Sequence, residues 1–125
     1  MQHIQFPPSI WAATAPSRIP AAPLNSDTEA DVAIVGGGFT GLSAALHLAK
    51  RGKRVILLEA NAVGWGASGR NNGQVIPTMT AAEPDAIAKR YGDAGERFAK
   101  LIGNSADTLF SIVRNEQIEA EAEQT

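Results

Sequence analysis

Residues 32–41 read Val-Ala-Ile-Val-Gly-Gly-Gly-Phe-Thr-Gly, and Glu59 closes a second apolar run eighteen residues after Gly41. Three glycines directly after a short apolar run predict a buried strand that turns sharply at Gly36. Gly38 then leaves the backbone bare for a pyrophosphate, and Gly41 allows the next helix to pack closely. Glu59 can accept hydrogen bonds from a ribose diol. The spacing therefore predicts a dinucleotide-binding βαβ unit, which names a ligand class and leaves the reaction open.

The sequence around the glycines supports this interpretation. Residues 32–35 form a continuous apolar run, which is typical of a parallel strand buried on both faces. Apolar residues then recur at three- and four-residue spacing from Leu42 to Ala49, which predicts an amphipathic helix. Gly52 follows two cations as a helix stop, and residues 55–58 form the second apolar run. This context disfavours the alternative of a structural glycine turn with a fortuitous acid.

Composition limits the class of protein. The length of 125 residues leaves room for about one domain, and 44% hydrophobic residues fit a globular chain. A net charge of −2 without a basic stripe disfavours nucleic acid as a partner. The chain has no cysteine, which excludes disulfides and thiolate metal sites within these residues. No pattern of metal ligands and no apolar stretch of membrane-spanning length is present. We therefore expect a cytoplasmic protein without a metal.

The first 30 residues differ from the rest of the chain, because they hold five of the seven prolines. We interpret residues 1–30 as an extended Pro-rich arm, and a flexible leader is the alternative. Residues 31–125 then form the nucleotide-binding part.

Residues 63–74 are a second informative segment and read Val-Gly-Trp-Gly-Ala-Ser-Gly-Arg-Asn-Asn-Gly-Gln. This composition predicts a loop that exposes backbone donors at the strand end, where ligands bind in parallel sheets. Ser68 can donate to a phosphate and Arg70 can neutralise one. Trp65 either flanks a cofactor or packs the loop, and packing is favoured. A surface loop without a binding role is the alternative.

The rest of the chain is predicted to be structural. Helical periodicity indicates a short helix after Pro84 and a longer one from Phe98 to Val113, with a possible break at Gly103. Alternation of polar and apolar residues over 117–122 predicts a strand. No catalytic residue can be named, so the catalytic residues stay unknown.

Three stretches together carry a family resemblance: residues 31–43, 57–60 and 64–71. They resemble the N-terminal region of the D-amino-acid-oxidase-type FAD-dependent oxidoreductases, with the greatest likeness to the γ-glutamylputrescine oxidase-like branch. Residues 9–15 of the leader are also similar to that branch. The resemblance implies an α/β fold, with a Rossmann-like FAD-binding βαβ unit, a parallel sheet and additional helices.

The resemblance also implies which residues bind the cofactor. The pyrophosphate is expected over the glycine turn, the adenosine ribose at Glu59, and the path from the phosphates to the flavin along the following loop. The matching positions in chain order are Gly36, Gly38, Phe39, Thr40, Gly41, Glu59, Ala60, Ala67, Ser68, Arg70, Asn72, Gly73 and Gln74.

The implied chemistry is a two-electron oxidation by FAD of a C–N bond in an amine or amino acid, to give an imine. A γ-glutamylputrescine-like substrate is possible, and oxygen or another acceptor reoxidises the flavin. A nicotinamide-dependent reductase is one alternative, because the glycine fingerprint and Glu59 also suit NAD. The other alternative is a non-catalytic, truncated module.

The chain is also expected to be incomplete. Two strands are fewer than a doubly wound nucleotide-binding domain needs, and the family's substrate domain has no counterpart in this sequence. We therefore expect a truncated flavoenzyme whose isolated chain is poorly stable and binds FAD weakly or not at all.

Overall fold

The structure, a computed structural model, describes residue 6 and residues 8–15, 21–79 and 82–124. Its elements are α1 (Ile10–Thr14), β1 (Val32–Val35), α2 (Phe39–Lys50), β2 (Val55–Leu58), α3 (Pro84–Tyr91), α4 (Asp93–Gly103) and α5 (Ser105–Asn115), with a 3₁₀ turn at Ala67–Gly69. The chain divides into two compact units, residues 1–72 and residues 73–125.

The first unit contains a parallel pair of strands joined by a helix. β1 pairs with β2 in a register that places Val32 opposite Val55 and Val35 opposite Leu58. α2 connects the two strands and packs on both of them. The predicted α/β class, the two predicted strands and the parallel βαβ unit are therefore confirmed.

The prediction that both faces of the strands are buried is wrong. Exposure alternates along β1, and Val35 retains 87% of its accessible surface. Leu58, at the end of β2, is also exposed. Successive side chains of a strand point to opposite faces, and α2 covers one face of the pair. The alternate side chains of β1, Ala33 and Val35, therefore stay exposed.

The C-terminal end of α2 follows the predicted stop. Gly52 has a φ of +74°, which glycine adopts without a steric cost, and its N–H donates to the carbonyl of Ala49 at 2.9 Å. His47 and Lys50 lie in the last turn, where positive charge is favourable. At this same end of the sheet, just before β1 and β2 begin, the Asp31 carboxylate accepts the backbone N–H of Arg54 at 2.8 Å.

The Pro-rich arm is not extended throughout. Ile10–Thr14 form the short helix α1, because the Ser9 hydroxyl caps it by accepting the N–H of Ala12 at 3.1 Å. Residues 21–30 contain no helix or strand. The rest of the predicted arm, residues 1–5, 7 and 16–20, lies outside the described residues.

The second unit is helical, as the periodicity predicted. The short helix after Pro84 is α3, and the longer one is divided at Asn104 into α4 and α5, which confirms the break. α3 and α4 approach closely, since a Cβ on Gly95 would overlap the carbonyl oxygen of Ile87. Among the described residues, the apolar side chain that is buried is Phe110 of α5. Across the described ranges, no helix is both long and apolar enough to cross a membrane.

The prediction of a strand at residues 117–122 is wrong. The described residues of this segment form turns and irregular backbone. Gln117 and Glu121 have φ values of +52° and +45°, which interrupt an extended chain at two points. A strand also needs a pairing partner, and the second unit has no strand among its described residues.

Candidate functional site

Three glycines without side chains form the turn between β1 and α2. Gly36 has a φ of +101°, and its N–H donates to the carbonyl of Leu58 at 2.8 Å, which ties the turn to the end of β2. A Cβ on Gly41 would overlap the carbonyl oxygen of Gly36. The first turn of α2 therefore packs so closely against the end of β1 that a side chain at residue 41 has no space. These two glycines have the mechanical roles that the sequence predicted.

Glu59 lies directly against this turn. Its Oε2 accepts the N–H of Gly37 at 2.7 Å, and its Oε1 accepts the N–H of Asn61 at 3.0 Å. These backbone donors, with Gly37 the strongest, hold the pKa of Glu59 below its ordinary value, although partial desolvation acts in the opposite direction. An ionised carboxylate has about four acceptor sites. Glu59 can therefore accept further bonds from two neighbouring hydroxyl groups.

We expect the Glu59 carboxyl to titrate at a pH below the ordinary range of a glutamate. Because its pKa is lowered in the folded chain, its stabilising contact is fully present above the ordinary pKa and is lost as the pH falls through the folded-state pKa. A pH titration of the Gly37 and Asn61 amide shifts by NMR measures this. Glu59→Gln is the control and should remove the inflection. An inflection at or above the ordinary glutamate pKa would contradict the contact.

Ser68 brings the following loop to the first turn of α2. Its Oγ accepts the N–H of Phe39 at 3.0 Å across 29 residues of sequence. The residue at the N-cap, Gly38, has no side chain to make this bond, so Ser68 supplies the missing cap. A Cβ on Gly38 would lie 2.7 Å from Ser68 Oγ. Because the hydroxyl oxygen accepts, the hydroxyl hydrogen can donate to an anion above the turn.

The loop that carries Ser68 is braced by its own side chains. The guanidinium of Arg70 lies 5.4 Å from the ring centroid of Trp65, and its Nε donates to the carbonyl of Gly66 at 3.2 Å. Trp65 thus packs within the loop, as favoured from the sequence. The Asn71 side-chain amide donates to the carbonyl of Ser68 at 2.7 Å. These contacts give a glycine-rich segment a defined conformation.

The predicted site residues fall into three groups. The structure brings Phe39 and Ser68 into direct contact and places Glu59 on the turn itself. Other predicted residues lie beside these contacts: Thr40 in α2, Ala60 after Glu59, Ala67 in the 3₁₀ turn, and Asn72 at the end of the first unit. Gly73 and Gln74 belong to the second unit.

Two residues of the site are missing from the sequence prediction. Gly37 holds Glu59 through its N–H, and its place in the middle of the glycine triplet is a signal for such a role. Asn71 holds Ser68 through a bond from its side-chain amide to the Ser68 carbonyl. Asparagine side chains in glycine-rich loops often bond to nearby backbone groups, and this was the available signal. In the part of the chain that the structure describes, no cluster of three or more His, Cys, Asp or Glu could hold a metal ion.

Comparisons with known proteins show which family the chain resembles. The family model described as "FAD dependent oxidoreductase" (DAO) matches residues 31–125. The chain is similar to the gamma-glutamylputrescine oxidoreductase of Escherichia coli (strain K12), with 39% identity over 114 residues, which cover 90% of this chain and 26% of that protein. It is also similar to the "Probable oxidoreductase OrdL" of Haemophilus influenzae, with 59% identity over 97 residues, 78% of this chain and 21% of that protein.

The chain spans about a quarter of the length of these two curated relatives. No solved structure matches it significantly.

Proposed function

The chain belongs to the DAO family of FAD-dependent oxidoreductases, and on that basis we propose that residues 36–72 hold the adenosine diphosphate part of FAD. The cofactor of the family is FAD, as the sequence resemblance implied. The observation that carries the proposal is the convergence of two distant side chains on one glycine turn. Glu59 bonds to the N–H of Gly37 and Ser68 bonds to the N–H of Phe39.

The residues on this turn fit FAD chemically. The N-terminus of α2 offers backbone donors and a partial positive charge, which favour a pyrophosphate. Gly38 leaves open the space that a Cβ would fill. Ser68 adds a hydroxyl donor beside it, and the fixed carboxylate of Glu59 supplies acceptors for the ribose hydroxyls. We propose a Rossmann-like arrangement for this domain on the same grounds.

We retain the sequence-predicted residues as the proposed FAD-binding set and add Gly37 to it. The turn residues would bind the phosphates, Glu59 would orient the ribose, and the loop would lead towards the flavin. The set is Gly36, Gly37, Gly38, Phe39, Thr40, Gly41, Glu59, Ala60, Ala67, Ser68, Arg70, Asn72, Gly73 and Gln74.

The reaction is proposed for the whole protein that contains this chain. Bound FAD supplies a two-electron oxidation, which for an amine or amino acid converts a C–N bond to an imine. One relative is a gamma-glutamylputrescine oxidoreductase by name, and this supports a small amine as the substrate class. A cytoplasmic location stays a prediction from the sequence. Within this chain, the residues of the turn and loop bind and orient the cofactor. A nicotinamide-dependent reductase is not favoured, because the family is FAD-dependent.

The binding proposal predicts a specific pattern of NMR shifts. Adding FAD to the FAD-free natural protein that contains this chain should move the amide signals of Gly37, Phe39 and Ser68, because these residues surround the proposed phosphate position. Riboflavin is the matched control, since it lacks the adenosine diphosphate part and should leave these signals in place. Equal shifts with both compounds, or none with FAD, would overturn the assignment. An amine panel with peroxide detection on the natural protein that contains this chain tests the substrate class.

A further inference from the structure

Ser68 is held at two of its atoms by different partners. Its hydroxyl oxygen accepts the N–H of Phe39 at 3.0 Å, and its carbonyl oxygen accepts the side-chain amide of Asn71 at 2.7 Å. The first bond places the hydroxyl at the N-terminus of α2. The second bond fixes the backbone from which that hydroxyl projects.

The local backbone cannot fix Ser68 strongly by itself. Ser68 lies in a three-residue 3₁₀ turn, in which Gly69 N–H donates to Gly66 and Arg70 N–H donates to Ala67 at 3.2 and 3.1 Å. Such short turns have poor hydrogen-bond geometry and little stability alone. The next carbonyl along the turn is that of Ser68, and the residue three positions later is Asn71. Here the side-chain amide of Asn71 is a donor to that carbonyl. The Asn71 amide therefore adds a third hydrogen bond to the turn, and this bond holds the carbonyl of Ser68.

We propose that Asn71 is a positioning residue for the phosphates of the cofactor, acting through Ser68. The Asn71 amide holds Ser68 so that the hydroxyl oxygen caps the N–H of Phe39 and the hydroxyl hydrogen is left for a phosphate oxygen. The inference rests on the proposed function, because it assumes a phosphate above the turn. An asparagine suits this position because it donates without adding negative charge beside an anion.

The test compares ADP with adenosine as probes of the natural protein that contains this chain, freed of FAD. Asn71→Ala should weaken ADP binding by about threefold to tenfold, which corresponds to one hydrogen bond. Adenosine binding should stay unchanged, because the ribose is held by Glu59 and adenosine has no phosphate for Ser68. Asn25→Ala is the control, since Asn25 is an exposed asparagine of the same unit, remote in sequence from the turn and loop. Equal weakening of both probes would show a general structural role and overturn the proposal.

A double-mutant cycle tests whether Asn71 acts through Ser68. Ser68→Ala should weaken ADP binding at least as much as Asn71→Ala, and the double variant should be no weaker than Ser68→Ala alone. Additive losses would overturn the proposal. Hydrogen exchange at the Phe39 amide gives a readout that needs no ligand, and Asn71→Ala should accelerate it. If the unchanged natural protein binds neither probe, the proposed function fails, whereas unaltered Phe39 exchange in Asn71→Ala overturns the positioning role itself.

Discussion

Replacing Gly41 with alanine is expected to lower the free energy of unfolding of the first unit by about 3 kcal/mol, the upper end for overpacking. The new methyl group would overlap the carbonyl oxygen of Gly36 and lie 3.3 Å from Cγ2 of Ile34. The carbonyl has little freedom to retreat, because the N–H of Gly36 is bonded to the carbonyl of Leu58 at 2.8 Å. Small domains have only about 5 to 15 kcal/mol of stability, so much of the folded population would be lost.

Urea unfolding followed by tryptophan fluorescence measures this effect. Both tryptophans, Trp11 and Trp65, lie in the first unit, so their emission reports on that unit. Gly66→Ala is the matched control. Gly66 belongs to the same unit and has a φ of −74°, and a methyl group there would have open space for 4 Å around it. If the two variants unfold at the same urea concentration, the close approach at Gly41 does not constrain the fold.

The strands and α2 could be predicted because their signals are local. The apolar runs predict both strands. The roles of Gly36 and Gly41 follow from the space that a tight turn leaves for side chains. Gly52 ends the helix through a bond to Ala49, only three residues away. Glu59 was predicted from its spacing alone. The ribose role still rests on that spacing, whereas the bond to Gly37 shows that its carboxylate lies on the turn.

Other features depend on contacts that a sequence pattern does not contain. The Ser68 hydroxyl reaches Phe39 across 29 residues, and no local periodicity signals a cap supplied from such a distance. The exposure of Val35 depends on whether one face or both faces of the sheet are covered by helices. The apolar sequence of β1 is compatible with both arrangements and does not distinguish them. Residues 117–122 show the same limit, because alternation predicts a strand only where a partner strand exists.

Gly38→Ala is expected to weaken the binding of FAD or ADP by about tenfold to a hundredfold, the loss of one or more hydrogen bonds to a charged group. The methyl group would lie 2.7 Å from Ser68 Oγ, so the hydroxyl must move away from Phe39. It would also stand over the backbone that the pyrophosphate approaches. The variant should therefore lose both the cap of α2 and access of the phosphate to the turn. NMR titration measures the affinity, and urea unfolding measures the stability.

Adding Ser68→Ala separates these two losses. Without the hydroxyl, the nearest atom to the methyl group is Cβ of residue 68, at an ordinary contact distance of 3.6 Å. The double variant should therefore be as stable as Ser68→Ala alone, which lacks about 1 kcal/mol for the missing cap. Binding should stay weak, because the methyl group still covers the turn. If the double variant instead binds ADP as well as Ser68→Ala does, the phosphate does not approach the turn at Gly38. The pyrophosphate would then have to lie elsewhere on the unit.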